Sequence, residues 1–156
     1  MSRNGRFRYA LEPILLTRQW DLDALLRTLG ELNADCATAQ QAADRLRQQL
    51  AGASAEWHGL SGHSGHLSVD RFQLLASYMR DQEAQIVVAD QALALLLEQR
   101  DGLIDKVVLS QRAVEAAEEH REQMRAQFVK LRMSGEFKIA DDQWNTLQAR
   151  ITAHEG

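Results

Sequence analysis

The sequence predicts an all-α protein, a long antiparallel two-helix coiled-coil hairpin, and three observations lead to this prediction. The composition favours long helices, because 45% of the 156 residues are hydrophobic, only 6% are aromatic, and proline occurs once. Apolar residues recur at alternating spacings of four and three along two long segments. A glycine-rich stretch separates the segments. We therefore expect one coiled-coil domain over residues 1–156.

The first helix is predicted over about residues 11–57. Its heptad positions are Leu11, Leu15, Arg18, Leu22, Leu25, Leu29, Leu32, Cys36, Ala39, Ala43, Leu46, Leu50, Ala53 and Trp57. Only Arg18 among them is polar, and a sustained period of 3.5 residues indicates a left-handed supercoil. Pro13 falls in the first turn, where its missing N–H is harmless.

A hairpin turn is predicted over about residues 58–67, where glycines permit the reversal and serines can cap helices. His58, His63 and His66 have a spacing that metal ligands also use. No acidic residue or cysteine lies in this loop, so we expect a solvated turn and no metal site.

The second helix is predicted over about residues 68–133, with Ser68 as its N-cap and Gly135 as its C-terminal stop. Its heptad positions are Phe72, Leu75, Met79, Gln82, Ile86, Ala89, Leu93, Leu96, Arg100, Leu103, Val107, Ser110, Val114, Ala117, Arg121, Met124, Phe128 and Leu131. Because this helix is longer than the first, its end has no helical partner. If Trp57 faces Phe72, Leu11 faces roughly residue 118 and Arg18 lies near Ser110.

At the unmatched end of helix two, the apolar residues Met124, Phe128 and Leu131 would be exposed to water unless something packs on them. One possibility is the C-terminal tail, folded back as a short helix over about residues 141–152. Its apolar residues Ile139, Trp144, Leu147 and Ile151 have helical spacing. The other possibility, which we favour, is a partner protein. The N-terminal segment "FRYAL" could also cover part of this surface.

Several function classes are disfavoured. The net charge is −4, whereas neutralising phosphates requires clustered Lys and Arg, so nucleic-acid binding is not expected. No stretch is apolar enough for a transmembrane helix, and the single Cys36 fits a reducing compartment. No catalytic or cofactor motif occurs, so we expect neither an enzyme nor a cofactor. The N-terminus is basic, which suits either a solvated tail or a contact with an acidic partner.

The stretch "FRYALEPILLTR", residues 7–18, resembles the start of the flagellar FliJ and injectisome YscO stalk proteins. The matching residues are Phe7, Tyr9, Leu11, Ile14, Leu15 and Arg18. Size and plan also agree over about residues 7–133, whereas the C-terminal segment departs from the flagellar pattern. The chain is therefore more similar to an injectisome member such as HrpB7 of plant-associated bacteria.

This resemblance implies a cytoplasmic central stalk that acts at an inner-membrane type III secretion apparatus. The end with both termini would enter the pore of the hexameric secretion ATPase and promote its assembly and turnover. The hairpin end would face the export gate protein, and some members also bind export chaperones. The implied ATPase-binding residues are Arg6, Phe7, Arg8, Tyr9, Leu11, Met124, Phe128 and Leu131. The implied gate-binding residues are Phe72, Leu75, Ala76 and Met79.

Each apolar candidate also fits a simple coiled-coil seam, whereas core packing does not require Arg6 or Arg8. Two other functions remain open. One is a self-associating coiled-coil adaptor, and the other is an export chaperone that binds secretion substrates along its apolar stripe.

Overall fold

The computed structural model describes residues 5–61 and 69–154, and two helices contain almost all of them. Helix α1 spans Glu12–Ser61 and helix α2 spans Val69–His154. The described residues form no β-strand, and the two helices pack against each other. The predicted all-α hairpin of two long helices is confirmed.

Helix α1 begins close to the predicted residue. The Glu12 backbone N–H donates to the Tyr9 carbonyl oxygen at 3.1 Å, which forms the turn that leads into the helix. Pro13 follows at the first turn, as expected from its preset φ angle. The predicted end at residue 57 is wrong, because α1 continues through His58 to Ser61. The rest of the predicted turn, with His63, His66 and Ser68, lies outside the described residues.

Helix α2 does not stop near residue 133, and there is no separate short helix over residues 141–152. Both expectations are corrected by one continuous helix that passes Gly135 and ends at His154. A single glycine costs a helix only about 1 kcal/mol relative to alanine. Gly135 lacks the positive φ angle of a helix-ending glycine. The residues after it contain no proline, and Arg132 forms an i,i+4 ion pair with Glu136 at 3.6 Å.

The contacts divide the chain into two units, which we call the hairpin unit, Asp23–Val108, and the terminal unit, Met1–Leu22 with Leu109–Gly156. In the hairpin unit, every predicted heptad position from Leu25 to Trp57 and from Phe72 to Val107 is buried or half-buried. The most buried apolar residues there are Cys36, Ala43, Ala53, Leu93 and Val107. Three of these side chains, those of Cys36, Ala43 and Ala53, are small.

The helices of the hairpin unit run antiparallel. Trp57 and Phe72 lie near the connection with ring centroids 3.4 Å apart. Farther along, Arg47 forms an ion pair with Asp90 at 2.5 Å. Rising residue numbers in α1 therefore meet falling numbers in α2, as the heptad alignment predicts.

The terminal unit has a smaller core. Leu15, Val114 and Ala117 are buried, and Leu15 is only 1% exposed. Arg18, the polar heptad position of α1, is exposed, and its Nη1 donates to the Ala113 carbonyl oxygen at 3.2 Å. This contact lies within one helical turn of Ser110, the neighbour predicted from the heptad alignment.

Candidate protein-interaction surface

The N-terminal segment before α1 packs on the side of α2. The Phe7 ring lies 5.6 Å from the Phe128 ring between centroids, with a tilt of 48° between the planes. The Tyr9 ring lies 5.5 Å from the His120 ring, and the Tyr9 hydroxyl hydrogen-bonds to His120 Nδ1. Tilted aromatic pairs at this separation are favourable. The "FRYAL" segment thus covers part of the unmatched end of α2, one of the possibilities that the sequence left open.

Polar contacts also join the start of α1 to α2. Arg121 Nε lies 3.5 Å from Glu12 Oε2. The Gln19 side-chain amide donates to Glu118 Oε1 at 3.3 Å. These groups are largely solvent-exposed, so each contact contributes little free energy. Together they mark the part of α2 that lies beside the start of α1.

The predicted ATPase-binding residues fall into two groups. Phe7, Tyr9 and Phe128 are half-buried because they contact one another or His120 within the chain. The others are exposed, namely Arg6, Arg8, Leu11, Met124 and Leu131. Leu131 is 73% exposed, and Met124 is 37% exposed. The second group therefore offers more of its side-chain surface to a partner than the first.

The basic character of the N-terminus is modified by its neighbours on α2. Arg6 and Phe7 line a shallow cleft with Glu118, Glu122 and two α2 arginines, Arg121 and Arg125. Arg6 and Arg8 form no ion pair with any other residue of the described chain. The surface thus combines unpaired guanidinium groups with acidic side chains, which suits a partner of mixed charge.

The predicted gate-binding residues lie in the hairpin unit, and most belong to its seam. Phe72 packs on Trp57, and Phe72, Leu75, Ala76 and Met79 are all half-buried. More apolar surface is exposed beside them on α2, where Leu74 is 73% exposed and Tyr78 is 41% exposed. The search for heptad positions missed these two residues because they lie off the seam.

His120 is a further residue that sequence reasoning missed. It holds Tyr9 through both a ring contact and a hydrogen bond. The sequence alone could have indicated this contact, because the alignment that pairs Trp57 with Phe72 also places Tyr9 opposite residue 120. A polar residue within an acidic run of α2 gave no reason to look there.

Two buried polar atoms in the hairpin unit have no hydrogen-bond partner among the described residues, Gln82 Oε1 and Arg100 Nε. Both residues occupy polar heptad positions. An unsatisfied buried polar group costs about 1–3 kcal/mol. A polar seam residue that lowers stability can still fix the alignment of two helices.

The part of the chain that the structure describes holds no group of three or more His, Cys, Asp or Glu residues placed to bind a metal ion. Within the same residues, neither helix contains a stretch long and apolar enough to cross a membrane. Comparison with models of known protein families, with the sequences of curated proteins and with solved structures finds no match to this chain.

Proposed function

We propose that this protein is the central stalk component of a type III protein secretion system. In this role the terminal unit inserts into the hexameric export ATPase, promotes its assembly and activity, and the chain couples the ATPase to the export gate protein. The protein acts in the cytoplasm, peripheral to the inner-membrane secretion apparatus. It performs no chemistry of its own.

One observation carries the proposal. The segment whose residues resemble the FliJ and YscO stalk proteins is held on α2 through the Phe7–Phe128 and Tyr9–His120 contacts. The resemblance and the packing therefore meet in one small region of the terminal unit. A segment that is already ordered loses less conformational entropy when it binds a partner. This region is a suitable end for insertion into a pore.

The exposed residues of this region suggest how it would bind. Arg6 and Arg8 can form charge-assisted hydrogen bonds with acidic side chains of the ATPase. Leu11, Met124 and Leu131 supply apolar surface beside them. Phe7, Tyr9 and Phe128 act indirectly in this proposal, since their contacts hold the segment in place.

The contact with the export gate is proposed for the α2 part of the hairpin unit that follows Val69. The residues named from the resemblance, Phe72, Leu75, Ala76 and Met79, are half-buried. Leu74 and Tyr78 expose more of their side chains. We expect a gate protein to contact these two residues first, with Ala76 at the edge of the same surface.

The first test is the ATP hydrolysis rate and hexamer formation of the secretion ATPase from the same organism, with and without this chain. A double substitution, Arg6→Glu with Arg8→Glu, reverses two charges in the proposed contact. The matched control is Arg27→Glu with Arg45→Glu, which makes the same charge change at exposed positions of α1 in the hairpin unit.

The proposal predicts that the wild-type chain and the control raise the hydrolysis rate and the hexamer fraction, and that the Arg6/Arg8 variant does not. Equal stimulation by all three would retain the stalk function and move the contact to Met124 and Leu131. A wild-type chain that neither binds nor stimulates the ATPase would refute the proposed function.

A second function is favoured by one observation, the exposed apolar surface of the C-terminal part of α2, where Phe137 is 66% exposed and Trp144 is 62% exposed. An export chaperone would use this surface to bind a secretion substrate. Binding of a substrate with no binding of the ATPase would select this second function.

A further inference from the structure

The apolar pattern of α2 changes to another face of the helix after Leu131. Continued heptad spacing from Phe128 and Leu131 leads to Gly135, Lys138 and Asp142, none of which suits a seam. A different set is apolar and keeps alternating spacings of four and three: Met133, Phe137, Ala140, Trp144, Leu147 and Ile151. We call this set the C-terminal stripe.

The C-terminal stripe and the α1-facing seam lie on nearly opposite sides of α2. An α-helix turns about 100° per residue, so the stripe is rotated by about 170° from the direction of Met124, Phe128 and Leu131. A shallow groove lined by Ala126, Val129, Met133 and Phe137 extends the stripe along the same face. Two separate apolar surfaces therefore exist on this part of α2.

The stripe is uncovered in the described chain. Met133 is 51% exposed, Phe137 66%, Trp144 62%, Leu147 54% and Ile151 56%. Aromatic residues at this spacing are costly to leave in water, and a strict a/d stripe is the pattern of a coiled-coil seam. A partner with the same periodicity is the natural cover.

We propose that the C-terminal stripe binds the same stripe of a second copy of this chain, and that the two helices run antiparallel. In heptad terms, Phe137, Trp144 and Ile151 occupy a positions, whereas Met133, Ala140 and Leu147 occupy d positions. Antiparallel pairs place a positions against d positions. One symmetric alignment then pairs Trp144 with Ala140 of the second copy, Phe137 with Leu147, and Ile151 with Met133.

Side-chain size favours this direction over a parallel one. The antiparallel alignment sets the large Trp144 ring against the small Ala140, so the helices remain at an even separation. A parallel pair would set Trp144 against Trp144 and Ala140 against Ala140. In the parallel pair, the Trp144 layer would hold too much side-chain volume and the Ala140 layer would leave a cavity.

Charge favours the same direction. The antiparallel alignment brings Glu136 beside Arg150 of the second copy, and symmetry makes this pair twice. A parallel pair would bring Glu136 beside Asp141, which repels it. The antiparallel pair has one unfavourable contact, since the two Asp141 residues lie near the symmetry axis.

The size of the surface predicts a moderate affinity. Each of the five large stripe residues is more than half exposed, so each can bury on the order of 100 Å² more. Both copies together would bury on the order of 1,000 Å², the lower limit for a specific interface. We expect a dimer with a dissociation constant on the order of micromolar.

This dimer can be tested separately from the proposed ATPase contact, because the stripe does not include Arg6, Arg8, Met124 or Leu131. The test for the dimer requires only the isolated full-length chain. If no dimer is found, the result of the ATPase experiment is unaffected. Detection of the dimer would likewise give no support to the stalk function.

The test is sedimentation equilibrium of the full-length chain over about 1–200 µM, a range that brackets the expected dissociation constant. The expected result is a shift with concentration from 17.6 kDa towards twice that mass. Trp144→Glu should abolish the shift. The matched control Ile139→Glu also replaces an exposed apolar residue of the same helix, about 120° from the stripe, and should retain it.

Circular dichroism should show the same helix content in both variants and in the wild type. A wild-type chain that stays at 17.6 kDa throughout the range overturns the proposal. Equal loss of the dimer in both variants also overturns it, because the dimer would then not depend on the stripe.

The direction of the helices is tested by charge reversal. In the antiparallel alignment, Glu136→Arg and Arg150→Glu should each weaken the dimer several-fold, and the double variant should restore it. Asp141→Asn should strengthen the dimer by removing the repulsion at the axis. A stronger dimer from Glu136→Arg alone would indicate the parallel pair and overturn the proposed alignment.

Discussion

Replacement of Leu15 by alanine tests whether the terminal unit has the core described above. Leu15 is 1% exposed, so the truncation removes buried methyl groups. Such changes cost about 2–5 kcal/mol in protein cores. A groove beside Leu15, lined among others by Tyr9, Leu11 and His120, lets neighbours or water fill the space. We therefore expect a loss near the lower end, about 2–3 kcal/mol.

The matched control is Leu16→Ala, since Leu16 is the adjacent residue and is 39% exposed. Its loss should be about 1 kcal/mol. Urea unfolding measured by circular dichroism gives both values, and a slope of about 1–3 kcal/mol per molar makes the Leu15→Ala midpoint fall by roughly 1 M. Hydrogen exchange should lose protection mainly within residues 12–22 and 109–128. Equal losses for the two variants would refute the assigned core.

Three further predictions concern single features. Gly135→Ala should stabilise α2 by about 1 kcal/mol, because alanine favours a helix and its Cβ would meet nothing within 4 Å. Amide hydrogen exchange around residue 135 should therefore become slower. Faster exchange would contradict a continuous helix. Gln82→Leu should raise the urea midpoint by removing a buried unsatisfied oxygen; a lower midpoint would show that Gln82 has a partner. A double-mutant cycle on Arg47 and Asp90 should give less than about 1 kcal/mol, since both side chains are more than 40% exposed, and nothing in 1 M salt.

The paired helices could be predicted from the sequence because one simple rule governs them. Burial between two helices requires an apolar residue at every third or fourth position, so the heptad series from Leu25 to Trp57 identifies the buried side directly. The same rule located the polar seam residue Gln82. It also gave the alignment of the helices, since Trp57 and Phe72 are the first aromatic seam residues on either side of the connection.

The end of α2 could not be predicted by that rule. After Leu131 the apolar residues no longer follow the α1-facing seam, and the loss of the pattern at Gly135 resembled a helix end. Local propensity continues the helix instead, because charged and apolar helix formers surround one glycine. A change of the apolar face, seen at Met133 and Phe137, is the signal that separates a continuing helix from a terminated one.

The candidate surface was predicted only in part. The resemblance identified Phe7 and Tyr9, but their contacts depend on which α2 residues lie opposite, and His120 carries no pattern of its own. The exposure of the individual side chains could not be predicted without the structure either. Leu131 and Phe128 both lie on the predicted seam, yet Leu131 is 73% exposed and Phe128 is half-buried under Phe7.

The stoichiometry of the complex with the secretion ATPase tests the proposed function most directly. A stalk on the axis of a hexamer occupies the single central pore. At chain concentrations well below the micromolar dissociation constant of the proposed dimer, native mass spectrometry should therefore find one copy of this chain, 17.6 kDa, for each ATPase hexamer. The copy should be lost when Arg6→Glu and Arg8→Glu are combined. One copy bound to each ATPase subunit, or no complex at all, would contradict a central stalk.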